Sequence, residues 1–438
     1  MAILNKEEAQ KLLKKVLSYT KADECEVNLS GSEGGNIRYA RNSVSTAGSA
    51  SRLSLAVTAS FGKKSGTATI NEFDDASLAK VVQRAEEVAQ LAPENPEYMP
   101  LLGPQTYLDS IAYNKATAAM DPDMRATAVE KSLKVSTDAN LEAAGFLENE
   151  AGFSAMMNSK GLFAYNTDSD VSFSVTMRNQ AGTGSGYVSK SFNDATKLDT
   201  LTLTKIAASK ANGSANAKAI EPGKYTVILE PLAASDLLGN LFSGFDARTA
   251  DEGRSYMSKK GGTTRLGEKL FDEKVNIYTD PLHPDLPSRT FSGDGLPIKK
   301  TVWVENGVVK NLAYSRYWAQ KKGVEPQPGA GRMIMEGGTS SLEDLIKGTD
   351  KGILVTRFWY IRFVDPQTLL LTGLTRDGTF YIENGKIQFP IKNFRFNESP
   401  VIMLNNVEEL GKPERTLNMI VPPMKIRDFT FTSLSDAV

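Results

Sequence analysis

The chain has a single histidine, His283, and a single cysteine, Cys25, in 438 residues. Hydrolytic zinc sites mostly use two or three imidazoles, so chemistry that needs paired histidines within one chain is excluded. Cys25 stands between Glu24 and Glu26, whose charges raise a thiol pKa and work against a nucleophile; packing inside a strand is its simpler role. His283 sits between prolines in TDPLHPDLPSR. A lone ligand or general base is conceivable there, and a solvated or capping ring in a rigid loop is the blander reading. The other polar residues worth following are Asp294, Arg376 and Asp377, each at an expected turn or strand end. Asp377-Gly378 also reads as nothing more than a turn. The aromatic run Phe358-Trp359-Tyr360, with Phe363 beyond it, either lines a peptide groove or fills a core.

Placing these residues requires the elements around them. Domains hold roughly 100 to 200 residues, so the length suggests two. The N-terminus through Lys15 reads as an amphipathic helix with Leu12, Leu13, Val16 and Leu17 on one face. It lacks the pattern of a signal peptide, and no run approaches the roughly 20 apolar residues of a membrane span. With one cysteine, a cytoplasmic location is the expectation. Alternation predicts strands over 24–29, 36–39, 52–60 and 65–70, with Gly31, Gly34 and Gly35 in the first turn and Phe61-Gly62-Lys63 in a hairpin. Asp74 and Asp75 cap a helix over 76–92, which Pro93 stops. Asp121-Pro122 opens another helix, with Ala126, Val129, Leu133 and Val135 or Ser136 facing a core. Strands follow over 141–150, 153–158, 161–168 and 170–179.

From Ala211 to Gly223 the composition turns to Ala, Asn, Gly and Ser, which reads as a linker. The expected domains are 1–215 and 216–438. The fold class is α+β: an N-terminal mixed helix and antiparallel-sheet domain, then a mainly antiparallel β domain. In the second, a strand over 225–229 leads into a helix over 231–242. Strands over 276–279, 299–305 and 308–314 follow, with hairpin turns at Asn306-Gly307 and Asn384-Gly385.

The segment GKYTVILEPLAASDLLGNLFSGFDARTADEGRSYMSKKGGTTRLGEKL, from Gly223 to Leu270, resembles the core of the TldD/PmbA family, once described as modulators of DNA gyrase. FSGDGLPIKKTVWVENGVVKNLAYSRYWAQKKG, from Phe291, is similar to the family's Asp-x-Glu-Gly-x-Pro region, with Asp294-Gly295 in place of the acidic pair. The later stretch from Gly338 to Ser399 is similar too, including its Ile-Glu-Asn-Gly hairpin. In TldD-type members the helix after the first strand carries His-Glu-x-x-x-His, which holds zinc; the ion lowers the pKa of bound water and supplies hydroxide. An ungapped overlay puts Gly239 and Asn240 at the His-Glu pair and Gly244 at the second histidine. No cysteine follows Glu408, where the family places a further ligand. The resemblance is therefore to the PmbA (TldE) branch, which lacks the metal motif.

What this implies is a metallopeptidase-family protein with no cofactor of its own, zinc belonging to metal-bearing relatives. Its expected role is to bind unfolded peptide as a partner subunit in proteolysis or peptide maturation, as a homodimer or a heterodimer with a TldD-type subunit. One alternative is an active metallopeptidase with an unrecognised metal site, for instance carboxylates among Asp280, Asp285, Asp294 and Asp365. Another is a protein-level modulator of DNA gyrase. A net charge of -1 and the lack of a nucleic-acid motif argue against direct DNA binding and against an anionic membrane.

Overall fold

The computed structural model describes residues 3–329 and 331–435. Its first half is built on one antiparallel sheet. The strands are β1 (Glu24–Ala40), β2 (Ser43–Phe61), β3 (Lys64–Ile70), β4 (Leu141–Asn158), β5 (Phe163–Asn179) and β6 (Ser185–Phe192), in the order β3-β2-β1-β4-β5-β6. Strict alternation gives β1 one buried face, carrying Cys25, Val27, Leu29, Ile37 and Tyr39. Two pairs of helices cover that face at its two ends. At one end α1 (Lys6–Leu17) and α2 (Asp75–Leu91) bury Leu13, Val16, Leu78 and Val82 against Val27 and Val57. At the other, α4 (Pro122–Asp138) and α5 (Thr200–Gly213) pack on Tyr39, Phe173 and Val175. A single turn, α3 (Lys115–Ala118), precedes α4.

Several sequence expectations change here. Helix α1 begins at Lys6 because Asn5 and Glu8 form a reciprocal capping box; the expected start at Met1 lies outside the described residues. Gly31, Gly34 and Gly35 form no turn and lie inside β1, whose turn is made by Arg41 and Asn42, both at positive φ. Two of them serve close approach: a Cβ on Gly34 would stand 2.2 Å from the Asn149 carbonyl oxygen, and one on Gly35 would stand 2.5 Å from the Arg125 guanidinium. Likewise β4 and β5 run unbroken where two shorter strands each were expected. The stripe α4 buries is Arg125, Val129, Ser132 and Ser136, not one with Ala126. It is polar because the sheet beneath offers Tyr39, whose hydroxyl is 3.0 Å from that of Ser132, and Asn149, which accepts from Arg125 at 2.8 Å.

The second half contains β7 (Gly223–Leu229), α6 (Pro231–Phe242), α7 (Ala247–Asp251), β8 (Ser258–Lys259), β9 (Thr263–Thr264), β10 (Ile277–Thr279), β11 (Thr301–Glu305) and β12 (Val308–Val309). Then come α8 (Arg316–Lys322), β13 (Met333–Met335), α9 (Leu342–Lys347), β14 (Lys351–Asp365), β15 (Leu370–Glu383), β16 (Lys386–Pro390) and β17 (Phe394–Glu398). The chain closes with α10 (Pro400–Asn405), β18 (Val407–Leu410), β19 (Glu414–Thr416), β20 (Met419–Val421) and β21 (Met424–Leu434). Strand pairing runs β14-β7-β21-β17-β15, and β15 pairs again with β14, so five strands form a closed ring. Phe358, Phe394, Phe396, Phe429 and Phe431 fill it with stacked and tilted rings. A second sheet, β12-β11-β10-β13-β20-β19, lies across a shared core in which α6 buries Ala233, Ala234, Leu237, Leu238 and Leu241. The β7–β14 and β13–β20 pairs are parallel. The architecture is thus α+β, with a mainly antiparallel second half. Of the expected strand 308–314 only Val308–Val309 forms.

Helix α2 lies directly on Gly66 of β3, and α5 on Gly186 of β6. An added Cβ would stand 2.2 Å from the Ala89 nitrogen in the first case and 2.1 Å from the Ala207 oxygen in the second. Gly66→Ala and Gly186→Ala are each expected to lower unfolding free energy in urea by about 1 to 3 kcal/mol. The two sites share no partner, so the losses should add to within about 0.5 kcal/mol. Losses near zero would mean that the helices do not rest on these strands.

Candidate functional site

Helix α6 is where the sequence placed the vacated metal positions. Gly239 is exposed, and an added Cβ there would meet the Met419 methyl at 3.5 Å, in ordinary contact. Asn240 donates its side-chain amide to the Asp236 carbonyl at 2.9 Å, a bond within the helix. Gly244 follows the helix and is buried; a Cβ there would lie 2.2 Å from the ring of Tyr256, whose hydroxyl donates to the Leu241 carbonyl at 2.6 Å. The ring stands where a side chain at 244 would project. Zinc needs several nitrogen, sulfur or carboxylate donors converging within about 2.0 to 2.3 Å of the ion. Among the described residues no three His, Cys, Asp or Glu side chains converge in that way. The residues present do not fit the metal of the metal-bearing relatives.

The carboxylates Asp280, Asp285, Asp294 and Asp365 are not assembled either. Asp280 accepts from the Leu282 amide at 2.9 Å, and Asp365 accepts from the Gln367 amide at 2.9 Å and from Thr368. Both are turn caps. Asp285 pairs with Lys197 at 2.8 Å, beside His283, whose Nδ1 accepts from the Asp285 amide at 3.2 Å. These two line a cavity with Arg415 and Phe192. Asp294 is exposed and accepts from the Ser292 hydroxyl, in a turn whose Gly295 lies against Leu162. Cys25 is fully buried, and burial pushes its thiol up to about 11.

Arg376 and Asp377 lie elsewhere. Asp377 is buried at positive φ in β15, accepts from the Ser185 hydroxyl of β6, and pairs with Arg357 Nε at 2.7 Å. The Asp294 turn meets β5 near Ala164, whereas Ser185 pairs with Arg178 at the far end of the same strand. That separation is about 45 Å along the strand at roughly 3.3 Å per residue. The structure therefore joins Arg376 to Asp377 and leaves Asp294 apart.

What surrounds Asp377 was not read from the sequence: it lines a cavity of about 240 Å³ with Ser185, Ser214 and Thr379. A second cavity, of about 400 Å³, lies between the two halves of the molecule, lined by Tyr187, Lys210, Glu230, Leu232, Ser341 and Lys412 among others. Glu230 is the N-cap of α6, yet its carboxylate makes no capping bond. It pairs instead with Lys210 of α5 at 2.6 Å and accepts from Thr356 of β14 at 3.2 Å. Six residues on, Asp236 accepts from the Phe358 amide of β14 at 3.0 Å. Arg357, on the neighbouring residue, stacks over the Tyr187 ring at 3.8 Å. The carboxyl groups at the N-cap and in the middle of α6 thus hold the helix to β14, while Lys210 ties Glu230 to α5 and Ser185 ties Asp377 of β15 to β6. An available signal was the lone aspartate in the apolar helix PLAASDLLGNLF, because a charge among core positions must be partnered.

Removal from water pushes the Asp236 carboxyl up to about 7, against the opposing pull of the Phe358 amide and Arg357. A carboxyl with a higher pKa folded than unfolded takes up a proton on folding, so stability falls as pH rises from about 4 to about 7. Asp236→Asn keeps an acceptor for the amide and removes the buried charge. Its melting temperature is expected to match the parent near pH 4 and exceed it above pH 7; a pH-independent difference would contradict this. Gly244→Ala, which drives a methyl into the Tyr256 ring, is expected to cost about 1 to 3 kcal/mol in denaturant unfolding; an unchanged midpoint would mean that the ring moves aside freely.

Comparison with known proteins agrees with this architecture. The PmbA/TldA metallopeptidase domain 1 model matches residues 25–89, the central domain model 107–215 and the C-terminal domain model 222–433. The structure of TldE from Thermococcus kodakarensis superposes with a TM-score of 0.87 at 21% identity, covering 97% of this chain and all of that one. A Bacteroides thetaiotaomicron protein, described as a candidate modulator of DNA gyrase, gives 0.86 at 20%, covering 99% of this chain and 100% of its own. Both likenesses concern the fold. In sequence, a metalloprotease of Methanothermobacter thermautotrophicus is 25% identical over 60% of each chain. Metalloprotease PmbA of Escherichia coli O157:H7 is 23% identical over 47% of this chain and 48% of its own. With all three domain models matched in order, the chain belongs to the PmbA/TldD metallopeptidase family.

Proposed function

We propose that this chain is a non-hydrolytic, peptide-holding subunit of its family, which pairs with a second copy of itself or with a metal-bearing TldD-type relative. One observation carries the reading: where the resemblance expects metal ligands the chain has Gly239 and Asn240 in α6 and Gly244 just after it, and the Tyr256 ring lies against the last of them. A binding role is supported by the cavity ahead of α6, where the polar side chains of Tyr187, Ser341 and Lys412 stand beside the apolar Leu203, Ile206 and Leu232. Extended peptides are also held by main-chain hydrogen bonds at open strand edges, with little demand on sequence. Residues 43–52 of β2 are such an edge: they pair with β1 alone, and nearly all are exposed small side chains. No helix of the described residues is long and apolar enough to cross a membrane. A contact with DNA gyrase rests only on how two structural neighbours are described.

The test is to isolate the tagged chain from its native host, identify what copurifies, and assay unfolded casein with the chain alone and with the copurified subunit. Binding without cleavage by the chain alone, and cleavage that requires the partner, are the expected results. Chelator-sensitive cleavage by the purified chain alone would overturn the proposal.

A further inference from the structure

Just after β6, two arginines of the second half reach into the first. Arg332 and Arg415 each donate through Nη1 to the side-chain oxygen of Asn193 at 2.9 Å. Asn193 is itself buried and donates to the carbonyls of Ala112 at 3.1 Å and Ser169 at 2.8 Å. The same two nitrogens also reach the Pro287 carbonyl at 2.9 Å and the Asp285 carbonyl at 2.6 Å. These bonds join the halves, yet they use only Nη1 of Arg415. Its Nε and Nη2 are buried and make no hydrogen bond, and the Asp170 carboxylate stands 3.8 Å from Nη2, beyond hydrogen-bond distance. The side chain is 6% exposed. Burial brings its pKa down to about 10, so it stays charged at neutral pH. A guanidinium held out of water with donors left over costs free energy unless another group completes it.

Arg415 also lines a cavity of about 390 Å³, together with Lys197 from the turn after β6 and His283 from the loop after β10. Lys197 stands nearer solvent, 46% exposed, and gives one hydrogen bond, to the Asp285 carboxylate at 2.8 Å. His283 accepts at Nδ1 from the Asp285 amide at 3.2 Å, which makes Nε2 the donor nitrogen of the neutral ring. That nitrogen has no partner among the described residues. Asp285 is the one carboxylate lining the cavity, and Lys197 takes it. The remaining walls are apolar: Pro413, Ile420 and Phe192, whose ring lies 5.6 Å from the Arg415 guanidinium. Spare donors on one side and apolar side chains on the other fit an oxyanion attached to an apolar group. The volume is large for a lone phosphate and near the lower end of cavities that hold small organic ligands.

We propose that this cavity anchors the C-terminal carboxylate of a held polypeptide whose last side chain is apolar. Lys197 and His283 donate to the carboxylate, the buried charge of Arg415 attracts it from behind, and Phe192, Pro413 and Ile420 receive the side chain. Asp170 and Asp285 offset much of the positive charge, so the selection lies in directed, charge-assisted hydrogen bonds rather than in net charge. Capture of a C-terminal carboxylate is a recurring mode of peptide recognition, and it asks nothing of the sequence beyond the last residue. The proposal rests on the peptide-holding role above and adds the place where the end of the peptide is fixed.

Fluorescence anisotropy of the full chain with an N-terminally labelled peptide ending in Ala-Leu tests it. The comparators are the same peptide with an amidated C-terminus, a peptide ending in Ala-Asp, and inorganic phosphate as a competitor. The free acid is expected to bind, with the amide and the Ala-Asp peptide each weaker by roughly tenfold or more. Lys197→Ala and His283→Ala, both outside the buried core, should each weaken the free acid by roughly threefold to tenfold. Both should leave the amide and the melting temperature unchanged. Equal binding of acid and amide, or full binding by both variants, would overturn the anchor and leave the peptide-holding role standing. Failure of every peptide to bind would overturn both, and displacement of the free acid by an equimolar amount of phosphate would overturn the choice of a carboxylate.

Discussion

The contact between the Gly244 backbone and the Tyr256 ring governs what the end of α6 can carry. A helix buried between two sheets has little freedom to move, since interiors are packed near crystal density. A residue with a side chain at 244 needs the space that the tyrosine fills, and the tyrosine is anchored by its hydroxyl to the Leu241 carbonyl. With glycine at 239 and asparagine at 240, the helix offers hydrogen bonds and shape but no set of converging metal donors.

The start and middle of α6 do different work. Glu230 and Asp236 are spent on Lys210, Thr356 and the Phe358 amide, so the helix is clamped to β14 and to the first half of the chain. Breaking one partner of such a charge pair leaves the other stranded in a poorly solvated place, which is why the network behaves as a unit. The clamp also sets where β14 leaves the barrel. Up to Phe358 its side chains serve the core; beyond it the strand projects with aromatic rings and arginines outward. Rigid core, interdomain cavity and exposed arm are thus consequences of one helix and one strand held together.

Much of the fold was legible where the signal was local. Asn306-Gly307 and Asn384-Gly385 make the expected hairpin turns, each with two consecutive positive φ values. Helix α2 starts after Asp74, which caps the Ser77 amide as its sequence suggests. What misled was glycine used for close approach: Gly34 lies against the backbone of β4 and Gly35 against the Arg125 guanidinium, where the sequence reads as a turn. The divided fate of Phe358 and Trp359 was equally invisible, because it depends on where β7 stops pairing. Arg376 and Asp377 could be picked out as polar residues, but they lie in the middle of β15 and not at the expected turn or strand end. Their companions Arg357, Ser185 and Tyr187 come from distant segments that only the folded chain brings together.

Zinc titration of the metal-stripped, purified chain by calorimetry bears most directly on the central claim about α6. No saturable site with a stoichiometry near one is expected, and Asn240→Ala should leave the trace unchanged. A single tight site that disappears on that substitution would contradict the account.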